Sequence, residues 1–101
     1  MIEVNYLENN GVISKLEISG HANFDKKGKD IVCSAVSAIG VGGINALTNI
    51  DEIEIVINDG YILVNGSGLN NEYNQIVLKT MLTQLKTIEK SYSKYIKVSK
   101  W

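Results

Sequence analysis

Met1-Ile2-Glu3-Val4-Asn5-Tyr6-Leu7-Glu8, Asn9-Asn10-Gly11 and Val12-Ile13-Ser14-Lys15-Leu16-Glu17-Ile18-Ser19 read in order as a strand, a turn and a strand. Ile2, Val4 and Tyr6 alternate with Glu3 and Asn5, the period of a half-buried strand. Asn-Gly accepts the positive φ angles of a type I′ hairpin turn. On the return, Leu16 and Ile18 face one way and Lys15 and Glu17 the other, and Gly20 ends the run. The theme recurs downstream. Residues 52–58 alternate with Ile53, Ile55 and Ile57 on one face, Asp59-Gly60 is a second hairpin turn, and residues 61–65 return.

Each hairpin leads into a helix. Asp30 is a good N-cap for a helix over residues 31–47, because a carboxylate accepts a bond from a free first-turn amide. That helix is apolar on nearly every side and rich in small residues (Ala35, Ala38, Gly40, Gly42, Gly43, Ala46), so it must be covered on more than one face. Gly42-Gly43 is the alternative point at which it breaks. Gly66-Ser67-Gly68 interrupts the chain before residues 71–91, where apolar positions 73, 77, 81, 85, 88 and 92 have helical spacing. Residues 95–99 form a last strand with Ile96 and Val98 inward. The predicted class is α+β, a two-layer, mostly antiparallel sheet with two helices in the order β-β-α-β-β-α-β.

A length of 101 residues fits one domain with a modest core. The net charge of −1 exerts no general pull on nucleic acid or anionic membrane, and the chain has no arginine for bidentate phosphate or guanine contacts, so nucleic acid is not expected as a direct ligand. After residue 78 there are six lysines (79, 86, 90, 94, 97, 100) against one acid, Glu89. These read either as a solvated face or as a docking face for an anionic partner such as RNA. No basic segment followed by an apolar run opens the chain, and the uncharged stretch 31–50 is too polar for a membrane span; a cytoplasmic protein is expected.

The chain holds one histidine, His21, and one cysteine, Cys33. One of each is too few for a metal site or a disulfide framework, so neither metal nor cofactor is expected. Cys33 falls in the first turn of a helix capped by Asp30, where the helix dipole and free amides favour a thiolate. It reads as a nucleophile or as a small buried packing residue. His21 follows a strand that ends near the helix start, and it reads as the base that takes the thiol proton or as a surface histidine. Gly20, lacking a side chain, allows a close approach of another chain. Asp30 either caps the helix or orients His21. Ser37, one turn after Cys33, either bonds within the site or back to its own helix. First-turn amides, that of Cys33 included, are candidate oxyanion donors. The loop of residues 21–29 is long enough to be a lid, with Gly28 as hinge. Phe24, Tyr61 and Tyr73 are candidate walls of a substrate pocket.

The runs Ile18-Ser19-Gly20-His21-Ala22 and Gly28-Lys29-Asp30-Ile31-Val32-Cys33-Ser34-Ala35-Val36-Ser37-Ala38-Ile39 resemble the ribosomal-processing cysteine protease family called Prp. That family is marked by Gly-His-Ala followed by Gly-x-Asp-Ile-Val-Cys-x-x-Val-Ser. Ser34 stands where alanine is usual and Asn23 where glycine is common, which bears on how the lid moves. The resemblance implies one cysteine protease domain over residues 1–101, with Cys33 as nucleophile, His21 as base, and Gly20, Asp30 and Ser37 at the family's other marked positions. Asn23, Phe24 and Gly28 fall in the gating loop. The resemblance further implies an endopeptidase that removes the N-terminal extension of large-subunit ribosomal protein twenty-seven by cutting after paired aromatic residues. It also implies a homodimer, which would suit the overly apolar first helix. Two other readings compete: a non-catalytic ribosome- or RNA-associated module using the lysine-rich C-terminal part, and a thiol redox sensor.

Overall fold

A computed structural model describes residues 1–101. The first hairpin is β1 (Ile2–Asn9) and β2 (Val12–Ser19), and Asn10 and Gly11 both have positive φ, 53° and 78°, as a type I′ turn requires. Next come α1 (Ile31–Ala46), β3 (Glu54–Asn58), β4 (Tyr61–Asn65), α2 (Glu72–Ser91) and β5 (Ile96–Lys100). The element order is the expected one. The sheet runs β3-β4-β2-β1-β5 and is antiparallel except where β5 lies parallel to β1. The parallel step is possible because α2 carries the chain back across the sheet.

One row of paired residues crosses the whole sheet: Ile57, Ile62, Ile18, Val4 and Val98. Its centre is buried, Val4 completely, whereas Ile57 is 47% exposed. Burial is therefore uneven along the expected face of Ile53, Ile55 and Ile57. A one-turn 3₁₀ helix, Ile50–Glu52, delays the strand to Glu54, and burial fades from Ile53 to Ile57. The cause is layer width: α1 packs on β4 and α2 on β2 and β5, so the edge strand β3 projects past the helices.

α1 does not break at Gly42-Gly43. Its buried stripe is Val32, Val36, Gly40 and Ile44, at four-residue spacing. A side chain at Gly40 would begin 2.8 Å from Ile62 Cδ1, and one at Gly43 would collide with Met81 of α2. The small residues thus let α1 press against the sheet on one side and against α2 on another. A third face, with Ile31, Ala38, Gly42 and Ala46, stays exposed.

α2 buries Leu78, Met81, Leu82 and Leu85, each worth about 1.5–3 kcal/mol relative to exposure. Tyr73, included in the expected apolar stripe, is 54% exposed. The inward positions of that first turn are polar instead: Asn74 and Gln75 are buried. Asn74 Oδ1 accepts from the Thr48 backbone N–H (2.9 Å) and hydroxyl (3.1 Å), and its amide donates to the Thr48 and Gly68 carbonyls. Gln75 pairs with both backbone groups of Ile13 and donates to the Leu69 carbonyl. These two amides tie α2 to β2 and to two loops.

Candidate active site

Asp30 organises the start of α1. Its Oδ1 accepts from the Cys33 N–H at 3.0 Å, the bond of an N-cap. Its Oδ2 accepts from the N–H groups of Phe24 (2.9 Å) and Asp25 (3.4 Å). Burial alone would push this carboxyl upward, but hydrogen bonds from the Cys33, Phe24 and Asp25 amides and from the Cys33 thiol outweigh it and hold it below its ordinary value. Both oxygens are engaged by backbone amides and neither by imidazole. Of the two readings of Asp30, the structure realises the cap and not an orienting contact with His21.

Cys33 is a free, half-buried thiol in the first turn of α1. Its Sγ accepts a hydrogen bond from the Ala22 N–H at 3.3 Å. Its own N–H is committed to Asp30, and that of Ser34 to the Asp30 carbonyl, so these two amides are not free as oxyanion donors. Ser37 lies on the same cavity but is exposed, and its hydroxyl bonds neither to the site nor back to its helix.

His21 is set by the β3–β4 turn. The Gly20 N–H donates to the Gly60 carbonyl at 2.9 Å, and the His21 ring lies against Gly60. Gly20 itself has φ +92°, and a Cβ there would sit 2.5 Å from the Met1 carbonyl oxygen. The space that a side chain at Gly20 would need is taken by the chain's own first residue. His21 and Cys33 wall one cavity of about 460 Å³, with Ser37, Val41, Ile57 and Ile62 along its length. No hydrogen bond joins the imidazole to the thiol in this arrangement.

The loop between them is fixed at its two ends. Ala22 and Asp30 are buried, and residues 23–29 are all exposed. Asn23 has φ +56°, a left-handed conformation that asparagine tolerates and glycine adopts freely, so either residue fits that position. Gly28 has φ +89° and open space around it. Phe24 turns to the aromatic pair Tyr92 and Tyr95, meeting them edge-on with centroids 5.6 and 5.1 Å away. Lys27 reaches Asp59 at 3.7 Å in an exposed pair of little energetic weight. Of the three candidate aromatic walls, only Tyr61 lines the cavity. Its hydroxyl donates to Glu17 Oε2 at 2.6 Å; that bond, burial, and the charges of Glu17 and Glu54 raise its pKa. Gly60 and the Ala22 N–H are the parts of this site that reading the sequence missed. Asp59-Gly60 signalled only a turn, and a backbone amide leaves no signal.

The arrangement is a thiol and an imidazole on one cleft, which is the equipment of a cysteine peptidase. The model of the family Cysteine protease Prp matches residues 1–97. The "Ribosomal processing cysteine protease Prp" of Staphylococcus aureus is 33% identical over 98% of this chain and 98% of its own length. The crystal structure of S. aureus Prp with a covalently linked product peptide matches with a TM-score of 0.91 and 34% identity, covering all of both chains. The same protease in complex with a substrate peptide matches with a TM-score of 0.83 and 30% identity, again over the full length of both. This chain belongs to the Prp family of ribosomal processing cysteine proteases. No helix is long and apolar enough to cross a membrane.

Proposed function

We propose that this chain is a cytoplasmic cysteine endopeptidase that removes the N-terminal extension of large-subunit ribosomal protein twenty-seven, with Cys33 as nucleophile and His21 as general base. The observation that carries it is that the chain's only thiol and only imidazole share one cleft in a member of a cysteine protease family. The S. aureus relative's covalently linked product peptide supports a nucleophilic step, and its substrate peptide supports an extended ligand.

The chemistry follows from the two side chains. The thiol proton passes to the imidazole as Cys33 Sγ attacks the scissile carbonyl carbon. The imidazolium then gives that proton to the departing amine, the C–N bond breaks, and a thioester remains on Cys33. Water, deprotonated by the same imidazole, cleaves the thioester to a carboxylic acid and restores the thiol. Asp30 serves this by holding the start of α1, and with it Cys33, against the loop that carries Phe24 and Asp25. The loop of residues 22–29 is the gate over the cleft. The protein acts as a homodimer, and the uncovered face of α1 at Ala38, Gly42 and Ala46, beside the 60% exposed Ile76, supports that reading.

The test is to incubate the protein with a peptide carrying the extension and the first residues of the mature ribosomal protein, and to read product masses. One cut after the aromatic pair is expected. An uncut peptide, or a cut elsewhere, rejects the substrate. Sedimentation gives the oligomeric state, with a dimer expected and a monomer at micromolar concentration contradicting it.

A further inference from the structure

We propose that Gly60, in the turn between β3 and β4, is a positioning residue for the reaction: it is the rest on which the His21 imidazole lies. The inference depends on His21 being the base. A Cβ built at Gly60 would sit 2.7 Å from His21 Nε2, 3.1 Å from Cε1 and 3.4 Å from Cδ2. The first of these distances is one that real side chains do not adopt, so any residue but glycine displaces the ring. The Gly60 carbonyl also receives the Gly20 N–H at 2.9 Å, which anchors the backbone one residue before His21. One residue therefore meets the histidine twice: its carbonyl anchors the backbone at Gly20, and its bare Cα leaves the room in which the ring lies.

The turn alone does not account for this glycine. Gly60 has φ +76°, but Asn10, Asn23 and Asn49 take comparable left-handed angles in the same chain (53°, 56° and 62°). Asparagine would thus satisfy the backbone at position 60. What it would not satisfy is the space under the imidazole. Gly11 supplies the contrast, at the tip of the other hairpin: its φ is +78° and nothing lies within 4 Å of a Cβ placed there. The two glycines carry the same backbone demand, and only one carries a ring.

The experiment compares Gly60→Asn and Gly60→Ala with Gly11→Asn and Gly11→Ala in steady-state cleavage of the extended peptide. The imidazole resonances are followed by NMR across the pH range, and the single histidine makes their assignment unambiguous. The Gly60 variants are expected to lose about 10–100-fold in kcat, the usual result of moving a reacting group by about an ångström, with KM little changed. Their His21 resonances and the pH profile of kcat should shift. The Gly11 variants are expected to stay within about twofold in kcat with unmoved resonances, while the two alanine variants lose similar thermal stability, since the same left-handed backbone strains alanine at both turns. Gly60→Asn with kcat and imidazole resonances like those of the unaltered protein overturns the assignment. So does a Gly11→Asn loss as large as that of Gly60→Asn. His21→Ala tells the two failures apart. If it cleaves at the unaltered rate, the base reading falls and this assignment with it; if it is inactive while Gly60→Asn is normal, only Gly60 falls.

Discussion

The two long helices begin with the same device and put it to opposite uses. Asp30 caps α1 by accepting from the N–H three residues on, that of Cys33; Asn71 caps α2 by accepting from the N–H three residues on, that of Asn74, at 2.8 Å. At α2 that third residue is fully buried, and its side-chain amide is saturated by bonds to Thr48 and Gly68. At α1 it is a half-buried thiol at the wall of a cleft, accepting from one backbone N–H, that of Ala22. A helix start can thus close a joint or present a reactive atom, and the third residue decides which.

Breaking the presenting end should cost activity and spare the fold. Cys33→Ala and His21→Ala are expected to lower kcat/KM by at least about a thousandfold, roughly 4 kcal/mol, with far-ultraviolet circular dichroism unchanged. Breaking the closed end should do the reverse. Asn74→Ala leaves the Thr48 N–H and carbonyl without their partner and the Gly68 carbonyl with the Asn71 amide alone, for a loss of about 2–3 kcal/mol in urea unfolding. Cleavage per folded molecule should hold.

Asp30 belongs to both ledgers, because it caps the helix and ties down the loop. Asp30→Ala is expected to lose about 2 kcal/mol, the upper end for a cap, and to lower kcat as well. Its pH dependence has a definite sign. The carboxyl is held below its unfolded value, so the unfolded chain binds the proton more readily. The stabilisation is present above an unfolded carboxyl pKa of about 4 and is lost as pH falls through the lower folded value. Asp30→Asn, which still caps, should therefore flatten the fall in stability below about pH 4, as read by thermal unfolding at each pH. The smallest effect is expected from Asn71→Ala, about 1 kcal/mol with no change in cleavage.

Local features were legible and distant ones were not. The Asn10-Gly11 turn, the Asp30 cap and the position of Cys33 in the first turn all depend on residues close in sequence, and the structure realises each. The pairing of β5 with β1 and the exposure of Ile57 depend on where the helices lie across the sheet, which periodicity does not encode. Asn74 and Gln75 look like surface residues in the first turn of a helix; only the arrival of Thr48, Gly68, Leu69 and Ile13 around them makes burial tolerable. Within the site, two readings of Asp30 were open until the fold gave its carboxylate three amides to accept from. The seat of His21 was invisible for the same reason, since it comes from a hairpin tip about forty residues away in sequence.

The central claim is that the thiol presented at the start of α1 attacks the substrate carbonyl. It is tested most directly by acid-quenching the protein during turnover of the extended peptide and measuring its intact mass, then mapping any adduct by proteolysis at low pH. The account predicts a chain heavier by the acyl fragment of the peptide, carried on Cys33 as a thioester and absent from Cys33→Ala. Cleavage by Cys33→Ala at the unaltered rate, or an acyl group mapped to another residue, would contradict it.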